Sequence, residues 1–428
     1  MKPIVQFVSY DSPNDVGGVS SWLQRLVPRL REQGIDARVD LFCSENKPGV
    51  NAAWYRAHNV PFRWSRGQGD TRQTVRQCLR WLREDLPQVY VPNCILPAYF
   101  SAAEAKRCGA CTIGVLHSDD PFYWAIVDEF VHGSEQWKLN ELVTVSGFLH
   151  DAVQSSERST IPVHKIPYGV AMPEARAAHA TEKLRIVYTG RLVEEQKRIS
   201  DLARAFCRVA RHHTNLEAWI VGAGKDEATV RNIIKTESME ERVIVKGRVD
   251  PPRIHEVLSE CQIFVLLSDY EGVPISLMEA MAVGLVPICL RTRSGVDEVI
   301  SHMNNGIIVT DRVNSLTDAV SYLVGNRESL SKLSAAARRT ILDRYSEERC
   351  VTQWRDLLLS RCSTVSADHR LKLHLKLPPR NPKFGRYDKR PNGYQKLRSR
   401  LQLRSRFLRA VSSTRRAALD LVRSRHDG

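Results

Sequence analysis

The stretch SDYEGVPISLMEAMAVGLVPI, residues 268–288, has the pattern of a strand end, a turn, a helix and a second strand. Glu271 lies in the turn and Glu279 lies eight positions later, so the two acids stand on either side of the predicted helix start. The rest of the helix and the second strand are almost wholly apolar, as in elements that are buried on both faces. Two interpretations are open for these carboxylates. Either Glu271 caps the helix and Glu279 is exposed to solvent, or both acids contact a ligand.

Strands and helices of this kind alternate along most of the chain. Residues 171–183 lack a strand pattern and separate two series of alternating elements. Such alternation predicts parallel sheets covered by helices, with ligands at the carboxyl ends of the strands. The predicted fold class is α/β, with two Rossmann-like doubly wound domains facing across a cleft. Strands are predicted at 3–10, 36–43, 112–117, 141–146, 164–170, 184–190, 216–224, 242–248, 262–268, 285–290 and 305–310, and helices at 19–33, 199–212, 226–237, 251–260, 274–283, 314–324, 328–344 and 346–360.

The length and composition agree with two domains. A chain of 428 residues with 26% charged and 43% hydrophobic residues is globular and too long for one compact core. No apolar run reaches the ~20 residues that span a bilayer, and the start meets Asp11 too early for a signal peptide. The predicted parts are a domain of residues 1–170, a linker at 171–183, a domain of residues 184–345, a closing helix within 346–365 and a tail of residues 366–428.

Ten cysteines are scattered singly, as is typical of a reducing compartment, and this indicates the cytoplasm. The exception is Cys108-Gly-Ala-Cys111, whose spacing fits a redox motif or half of a zinc site. It precedes an apolar strand and has no second Cys or His pair nearby, so we expect a structural role.

The basic charge of the chain lies almost entirely in its tail. Residues 370–428 contain 18 of the 63 Lys and Arg residues but only three of the 48 acids, which equals the net charge of +15 of the whole chain. The preceding body is therefore neutral, whereas a nucleic-acid binder would spread basic and aromatic residues over a folded face.

Within the tail, residues 395–425 have no Pro or Gly and are predicted to be an amphipathic helix with arginines between its apolar positions. Such a helix can bind an anionic membrane surface. Residues 373–394 are rich in Pro and Gly and are interpreted as a linker. We expect peripheral attachment to the cytoplasmic face of the membrane; a solvated extension that binds nothing specific and a nucleic-acid arm are the alternatives.

The acids at 271 and 279 suit a nucleotide sugar. A helix N-terminus offers free N–H groups and a partial positive charge to phosphate, and Gly272 would let the backbone approach a ligand closely. Glu271 could accept hydrogen bonds from sugar hydroxyls, and Glu279 from a ribose diol. For an isolated pair of acids, a cap at Glu271 and a solvated Glu279 would be the simpler interpretation.

The stretch resembles the motif of the retaining glycosyltransferases of family four, which have two Rossmann-like domains (the GT-B fold). The family motif is E-G-F-G-x-x-x-x-E-A-M-A followed by a G-x-P-V strand; E-G-V-P-I-S-L-M-E-A-M-A and G-L-V-P-I match it, with departures at Val273 and Pro274. The resemblance covers about residues 3–360. It implies a catalytic Glu271 and donor contacts at Gly272, Val273, Ser276, Leu277 and Glu279.

Further segments resemble family motifs in the same order. VGGVSSW, residues 16–22, resembles the glycine-rich loop near the donor phosphates. This resemblance implies that Gly17 and Gly18 contact the donor. VLHSDDP implies a catalytic His117 near the transferred sugar, and KIPYGV carries Tyr168 where the family usually has Asn. Each has a structural alternative, namely an ordinary strand–helix turn and a buried histidine.

In the second half, YTGRLVEEQKRISDLARAF resembles the segment whose Arg and Lys neutralise the donor diphosphate. It implies that Arg191 and Lys197 contact the donor diphosphate. Lys197 lies one position later than in the family motif, and Arg198 follows it where the family commonly has Gly. VGAG places Gly222 where the nucleotide base packs, and SGVDEVI places Glu298 at a helix start near the cleft.

The resemblance implies transfer of a glycosyl group from a nucleotide sugar to a lipid-linked or cell-surface glycan, with retention of configuration. No metal or other cofactor is expected, because the chain has no Asp-x-Asp and the cations themselves can stabilise the leaving diphosphate. Two alternatives remain: another enzyme of this architecture, such as a sugar-nucleotide epimerase or a storage-glucan synthase, and a non-catalytic protein that binds nucleotide sugar or nucleic acid.

Overall fold

The computed structural model describes residues 2–13, 17–67, 69–177, 183–250, 253–292, 295–362 and 371–390. Within these residues the chain forms two parallel sheets, one of seven strands and one of six, with helices between the strands. The predicted class of two doubly wound α/β domains facing across a cleft is confirmed. The predicted helix at 395–425 lies outside the described residues.

The first sheet belongs to the N-terminal domain. Its strands are β1 Ile4–Asp11, β2 Asp36–Cys43, β3 Phe62–Arg66, β4 Val89–Val91, β5 Cys111–Leu116, β6 Glu141–Thr144 and β7 Val163–Lys165. Its helices are α1 Gly18–Glu32, α2 Val50–Ala57, α3 Thr71–Glu84, α4 Leu96–Arg107, α5 Pro121–Phe130 and α6 Gly147–Gln154. The order β3-β2-β1-β4-β5-β6-β7 changes direction between β1 and β4. Ligands of doubly wound folds bind beyond the strand ends at such a switch point.

The second sheet repeats this plan. Its strands are β8 Leu184–Thr189, β9 Leu216–Val221, β10 Val243–Gly247, β11 Ile263–Leu266, β12 Val286–Leu290 and β13 Ile307–Val309. Its helices are α7 Glu194–Lys197, α8 Ile199–His212, α9 Glu227–Thr236, α10 Ile254–Ser259, α11 Ile275–Val283, α12 Val296–Val299, α13 Asn314–Gly325 and α14 Arg327–Arg344. The order β10-β9-β8-β11-β12-β13 places the switch point between β8 and β11.

The apolar runs of the sequence form these strands because both faces of each sheet are covered. All residues of β11 and β12 are buried, which explains why neither strand alternates polar and apolar residues. By contrast, α8 buries one stripe of its surface, with apolar residues at three- and four-residue spacing, and exposes the other.

Two predictions about the first domain need correction. The predicted strand at 164–170 is only Val163–Lys165, because the chain then leaves the sheet and crosses towards the second domain. The sequence pattern also missed β3 and β4. β3 is an edge strand with half-exposed, mostly polar residues, and β4 has only three residues, so neither gives a clear apolar period.

The closing helix α15 Glu347–Arg361 returns to the N-terminal domain. Two backbone hydrogen bonds hold Val170 at the crossing: its N–H donates to the Tyr345 carbonyl, and its own carbonyl accepts from Glu347 N–H. Trp354 then packs on Trp22 of α1 with ring centroids 5.5 Å apart. The helix thus joins the two domains on the side where the chain crosses between them.

Residues 371–390, which we name the C-terminal strap, are not the linker that the sequence predicted. Four leucines at alternate positions pack on the core, while the lysines and the histidine between them are exposed. A short 3-10 helix, Pro382–Tyr387, then buries Phe384 against α5. Asp388 and Arg390 form a buried ion pair at 2.6 Å, and the Thr71 hydroxyl donates to Asp388 at 3.1 Å. The strap is therefore part of the N-terminal domain.

The Asp388→Ala variant tests this attachment. It leaves the Arg390 guanidinium, whose side chain is 5% exposed, without its counter-charge, and we expect the free energy of unfolding to fall by about 3–5 kcal/mol. Asp128→Ala is the matched control, because Asp128 pairs with the exposed Lys383 of the same strap and should cost about 1 kcal/mol or less. Urea unfolding followed by tryptophan fluorescence measures both; a small, equal loss in the two variants would mean that the strap is only loosely attached.

Candidate functional site

The carboxyl ends of the strands in both sheets face a shared cleft of about 940 Å³. Residues that follow β1, β5, β8, β9 and β11 all line it, as expected for ligand sites of doubly wound folds. The predicted site residues found along its wall are Gly17, Gly18, His117, Arg191, Lys197, Gly222, Glu271, Gly272, Val273, Ser276 and Glu279. Leu277 lies behind this surface and is fully buried, so its side chain is part of the core.

The start of α11 forms one wall of the cleft. The helix begins at Ile275 after Pro274, and the first intrahelical bond joins Met278 N–H to the Pro274 carbonyl. The amides of Ile275, Ser276 and Leu277 therefore precede the first bonded turn, as free donors at a helix N-terminus do. Gly18 lies beside the Ile275 side chain, so the glycine loop of the other domain faces this helix start.

Glu271 is paired with Lys197. The Lys197 ammonium donates to a Glu271 carboxylate oxygen at 2.5 Å, and the two side chains are only 11% and 7% exposed. No side chain caps α11, so the interpretation of Glu271 as a helix cap is wrong. The pair places a buried positive and a buried negative group side by side at the wall of the cleft.

The late position of Lys197 has a structural explanation. The extra residue is taken up by the single turn α7, which ends at Arg198 with a left-handed φ of +50°. Within this turn Gln196 bonds to the loop that carries Glu271: its carbonyl accepts from Asp269 N–H, and its side chain donates to the Tyr270 carbonyl. Arg191 donates to the same Gln196 side chain at 3.0 Å. One residue therefore positions both predicted phosphate-binding cations.

Glu279 is paired with Arg25, a residue of α1 that the sequence analysis missed. The pair bridges the two domains, and the side chains are 20% and 11% exposed for Arg25 and Glu279. Glu279 is thus not a solvated surface residue. The only signal for Arg25 in the sequence was that Gln24 and Arg25 interrupt an apolar helical stretch, and Gln24 is indeed buried.

His117 is held in place by two neighbours. Its Nδ1 lies 2.5 Å from the Tyr168 hydroxyl and its Nε2 contacts the Asn93 side-chain oxygen. Because that oxygen only accepts, Nε2 carries the proton and Nδ1 accepts from Tyr168. Burial lowers the pKa of His117 to about 3, so the ring is neutral at physiological pH. Tyr168, the departure from the usual Asn, therefore has a definite contact.

Gly272 is required by the protein itself. A Cβ atom at this position would lie 2.1 Å from the carbonyl oxygen of His117, which belongs to the other domain. The backbone of the Glu271 turn therefore approaches the backbone of His117, and not only a ligand as the sequence suggested. Glycine is required at position 222 for a similar reason, because a Cβ atom there would lie 1.8 Å from the carbonyl oxygen of Gly190. Its predicted packing on a nucleotide base stays a prediction.

Two further polar residues join or face the cleft. Glu298 of α12 accepts hydrogen bonds from the backbone of Gly147 and Phe148 at 2.7 and 2.9 Å, so it caps α6 of the other domain. Residues 293–294, just before α12, lie outside the described residues, as do residues 14–16 of the glycine loop. Thr189 lines the cleft, and its buried hydroxyl has no hydrogen-bond partner among the described residues. It is a candidate ligand contact that no motif indicated.

Three features of the described residues concern disulfides, metal sites and membrane spans. Cys108 and Cys111 form no disulfide with each other or with other cysteines. Over the described ranges, no group of three or more His, Cys, Asp or Glu side chains could hold a metal ion. The same ranges contain no helix whose length and apolar character would let it cross a membrane.

The arrangement of two doubly wound domains around a cleft with a helix N-terminus is the GT-B architecture. Comparison with known proteins agrees: residues 173–340 match the family model described as "Glycosyl transferases group 1". Among solved structures, Anabaena HepE in complex with UDP and glucose superposes with a TM-score of 0.69 over 84% of this chain and 100% of that one, at 17% identity. This likeness concerns the fold.

Two of the curated relatives that match by sequence illustrate the similarity. N-acetyl-alpha-D-glucosaminyl L-malate synthase of Bacillus anthracis is 26% identical over 216 residues, which is 50% of this chain and 52% of that protein. Poly(ribitol-phosphate) alpha-N-acetylglucosaminyltransferase of Staphylococcus aureus is 26% identical over 181 residues, 42% of this chain and 36% of that protein. The chain thus matches about half, or less, of the length of these relatives.

The protonation of His117 gives a testable consequence. Because the folded-state pKa is about 3 and an unfolded histidine titrates near about 6.5, the unfolded chain binds the extra proton first. The stability that the buried neutral ring contributes is therefore present above about pH 6.5 and is lost as the pH falls from there towards 3. We expect the NMR signals of His117, assigned with a His117→Gln variant, to stay constant from pH 8 to pH 5. A midpoint between pH 6 and 7 would show that the ring is accessible and that its two contacts do not persist in solution.

Proposed function

We propose that this chain is a retaining glycosyltransferase of the family-four type, which moves a sugar from a nucleotide diphosphate sugar to a lipid-linked or cell-surface glycan. One observation carries the proposal: Arg25, Arg191, Lys197 and the free amides of α11 converge on a cleft that also contains two buried glutamates. The match to group 1 glycosyl transferases and the names of the relatives support it.

The cations and the helix start form a site for a diphosphate. A phosphate oxygen at the amides of Ile275 and Ser276 would be stabilised by the partial positive charge of the helix. Arg191 and Lys197 lie beside the turn that precedes this helix start, because Gln196 attaches their loop to Tyr270. Negative charge gathers on the diphosphate as the sugar leaves, and fixed positive groups stabilise that charge most in the transition state.

The glutamates suit the hydroxyl-bearing parts of the donor. Lys197 contacts one oxygen of Glu271, and among the described residues the other oxygen has no protein donor, so it can accept from a sugar hydroxyl. Glu279 lies one turn further along α11, beside Arg25. Glu279 could there accept hydrogen bonds from the ribose hydroxyls of the donor.

In the proposed reaction the acceptor hydroxyl attacks the anomeric carbon on the face that the diphosphate leaves. The new carbon–oxygen bond forms as the bond to the phosphate oxygen breaks, and the departing phosphate takes the hydroxyl proton. His117 is neutral and both of its ring nitrogens are engaged, so it orients groups in the cleft and does not accept this proton. Retention of configuration follows from the front-face path.

Turnover of a nucleotide sugar tests the function directly. We expect release of the nucleotide from one member of a panel of UDP-, GDP- and ADP-sugars, tested with UDP-glucose and UDP-N-acetylglucosamine first. The rate should be the same with and without a chelator, because Arg191, Lys197 and the α11 amides neutralise the diphosphate themselves. Binding without turnover across the panel would favour a non-catalytic protein, and loss of activity with the chelator would contradict the metal-free mechanism.

We also propose that residues 395–425 attach the protein to the cytoplasmic face of the membrane. The tail carries the whole net positive charge of the chain, and each Lys or Arg near an anionic surface adds about 1 kcal/mol of attraction. A lipid-linked acceptor would then lie at the bilayer beside the cleft.

Sedimentation with liposomes measures this attachment. The full chain should pellet with anionic vesicles and much less with neutral ones, whereas a variant that ends at Asn392 should stay in the supernatant with both. The variant must retain residues 371–390, because the strap belongs to the N-terminal domain. Equal pelleting of the two proteins with anionic vesicles, or none by either, would contradict the attachment.

A further inference from the structure

The C-terminal strap contributes two residues to the wall of the cleft, Arg386 and Tyr387. Both side chains are exposed, and Tyr387 has 45% of its surface accessible. No motif within residues 3–360 includes them, and they reach the cleft only because the strap folds back along the N-terminal domain. Their position at the mouth of a site that otherwise comes from strand ends requires an explanation.

The strap holds these two residues firmly. Phe384 is buried two positions before Arg386, and the ion pair of Asp388 and Arg390 is buried just after Tyr387. The ring of Tyr387 packs on Phe122 of α5 with centroids 4.5 Å apart, and the Arg386 guanidinium lies 5.3 Å from the centre of the Tyr387 ring. A fixed aromatic face with a cation beside it costs little ordering when a ligand binds.

A second exposed aromatic residue, from the other domain, lines the same cleft. Tyr270 belongs to the second domain, directly precedes Glu271, and is 36% exposed. It lines the same cleft as Arg386 and Tyr387. An apolar ring face on each side of a cleft, with polar groups between them, suits a flat sugar ring.

The charge of Arg386 is not neutralised by an ion pair within the described part of the protein. No carboxylate of those residues lies within ion-pair distance of it; the nearby Glu195 pairs with Lys225, and Asp128 pairs with Lys383. The diphosphate site already has Arg25, Arg191 and Lys197 around the α11 start. Arg386 therefore has a positive charge to offer to a different group in the cleft.

We propose that Arg386, Tyr387 and Tyr270 form the acceptor subsite, which binds a sugar ring joined to an anionic phosphate-type group. The tyrosines contact the ring faces and the guanidinium binds the anion through charge-assisted hydrogen bonds. The assignment of this ligand as the acceptor rests on the proposed transferase function. The subsite also explains why the strap, which precedes the basic tail, is part of the folded domain.

Binding of synthetic probes tests the subsite without any turnover. The probes are N-acetylglucosamine joined to geranyl diphosphate, the uncharged geranyl glycoside of the same sugar, and inorganic pyrophosphate, which can enter the donor site. Calorimetric titration compares the full-length wild type with Arg386→Gln, Tyr387→Leu and the control Lys383→Gln. Lys383 lies on the same 3-10 helix and carries the same charge, but pairs with Asp128.

We expect Arg386→Gln to lower the affinity for the diphosphate probe about tenfold or more. The affinity for the uncharged glycoside should not change. Tyr387→Leu, which keeps the apolar contact with Phe122, should weaken both glycosidic probes roughly threefold or more. Lys383→Gln should change neither, and no variant should change the affinity for pyrophosphate or the melting temperature.

Equal effects of Arg386→Gln and Lys383→Gln, or no binding of either glycosidic probe to the wild type, would overturn the subsite. Nucleotide release from a donor sugar without acceptor should be normal in both strap variants. If the expected binding differences occur but no donor is turned over, the transferase proposal fails while the binding site stands.

Discussion

The close approach of the Glu271–Gly272 turn to the carbonyl of His117 is the contact on which the rest of the cleft depends. It joins the two domains backbone to backbone, and a Cβ atom at Gly272 would lie 2.1 Å from that oxygen. The contact places the free amides of α11 opposite the glycine loop and next to the buried His117. Arg25 and Glu279 form a second bridge a turn further along α11. Together these contacts fix which residues face the same volume.

The charges of the cleft are balanced in pairs, Lys197 with Glu271 and Arg25 with Glu279. Each member is mostly buried, and a buried charge without its partner is costly. A donor diphosphate would bring negative charge to the two cations, which leaves both carboxylates to accept hydrogen bonds from hydroxyl groups. The site is therefore suited to a ligand that carries an anion flanked by hydroxyls on both sides. Inorganic phosphate would contact the cations but would offer no sugar hydroxyls to the carboxylates.

Local patterns predicted the fold and much of the site, because strand ends and helix starts carry their own sequence signals. His117, Arg191 and Glu271 come within five residues of the ends of apolar strands, and each lies at the cleft as the topology of parallel sheets requires. The strap, by contrast, packs on elements hundreds of residues away, and its prolines and glycines suggested a linker. The alternation LKLHLKL at 371–377, whose leucines pack on the core, was the missed signal.

In the proposed mechanism, Glu271 acts on the substrate and does not merely support α11. Steady-state kinetics of Glu271→Gln, together with its melting temperature, tests this most directly, because the amide keeps the shape and removes the charge beside Lys197. We expect a kcat lowered by about 100-fold or more when it is measured well below the melting temperature, although the unpaired Lys197 also lowers the melting temperature of this variant. A near-normal kcat with early melting would contradict it and assign the buried acid to the structure alone.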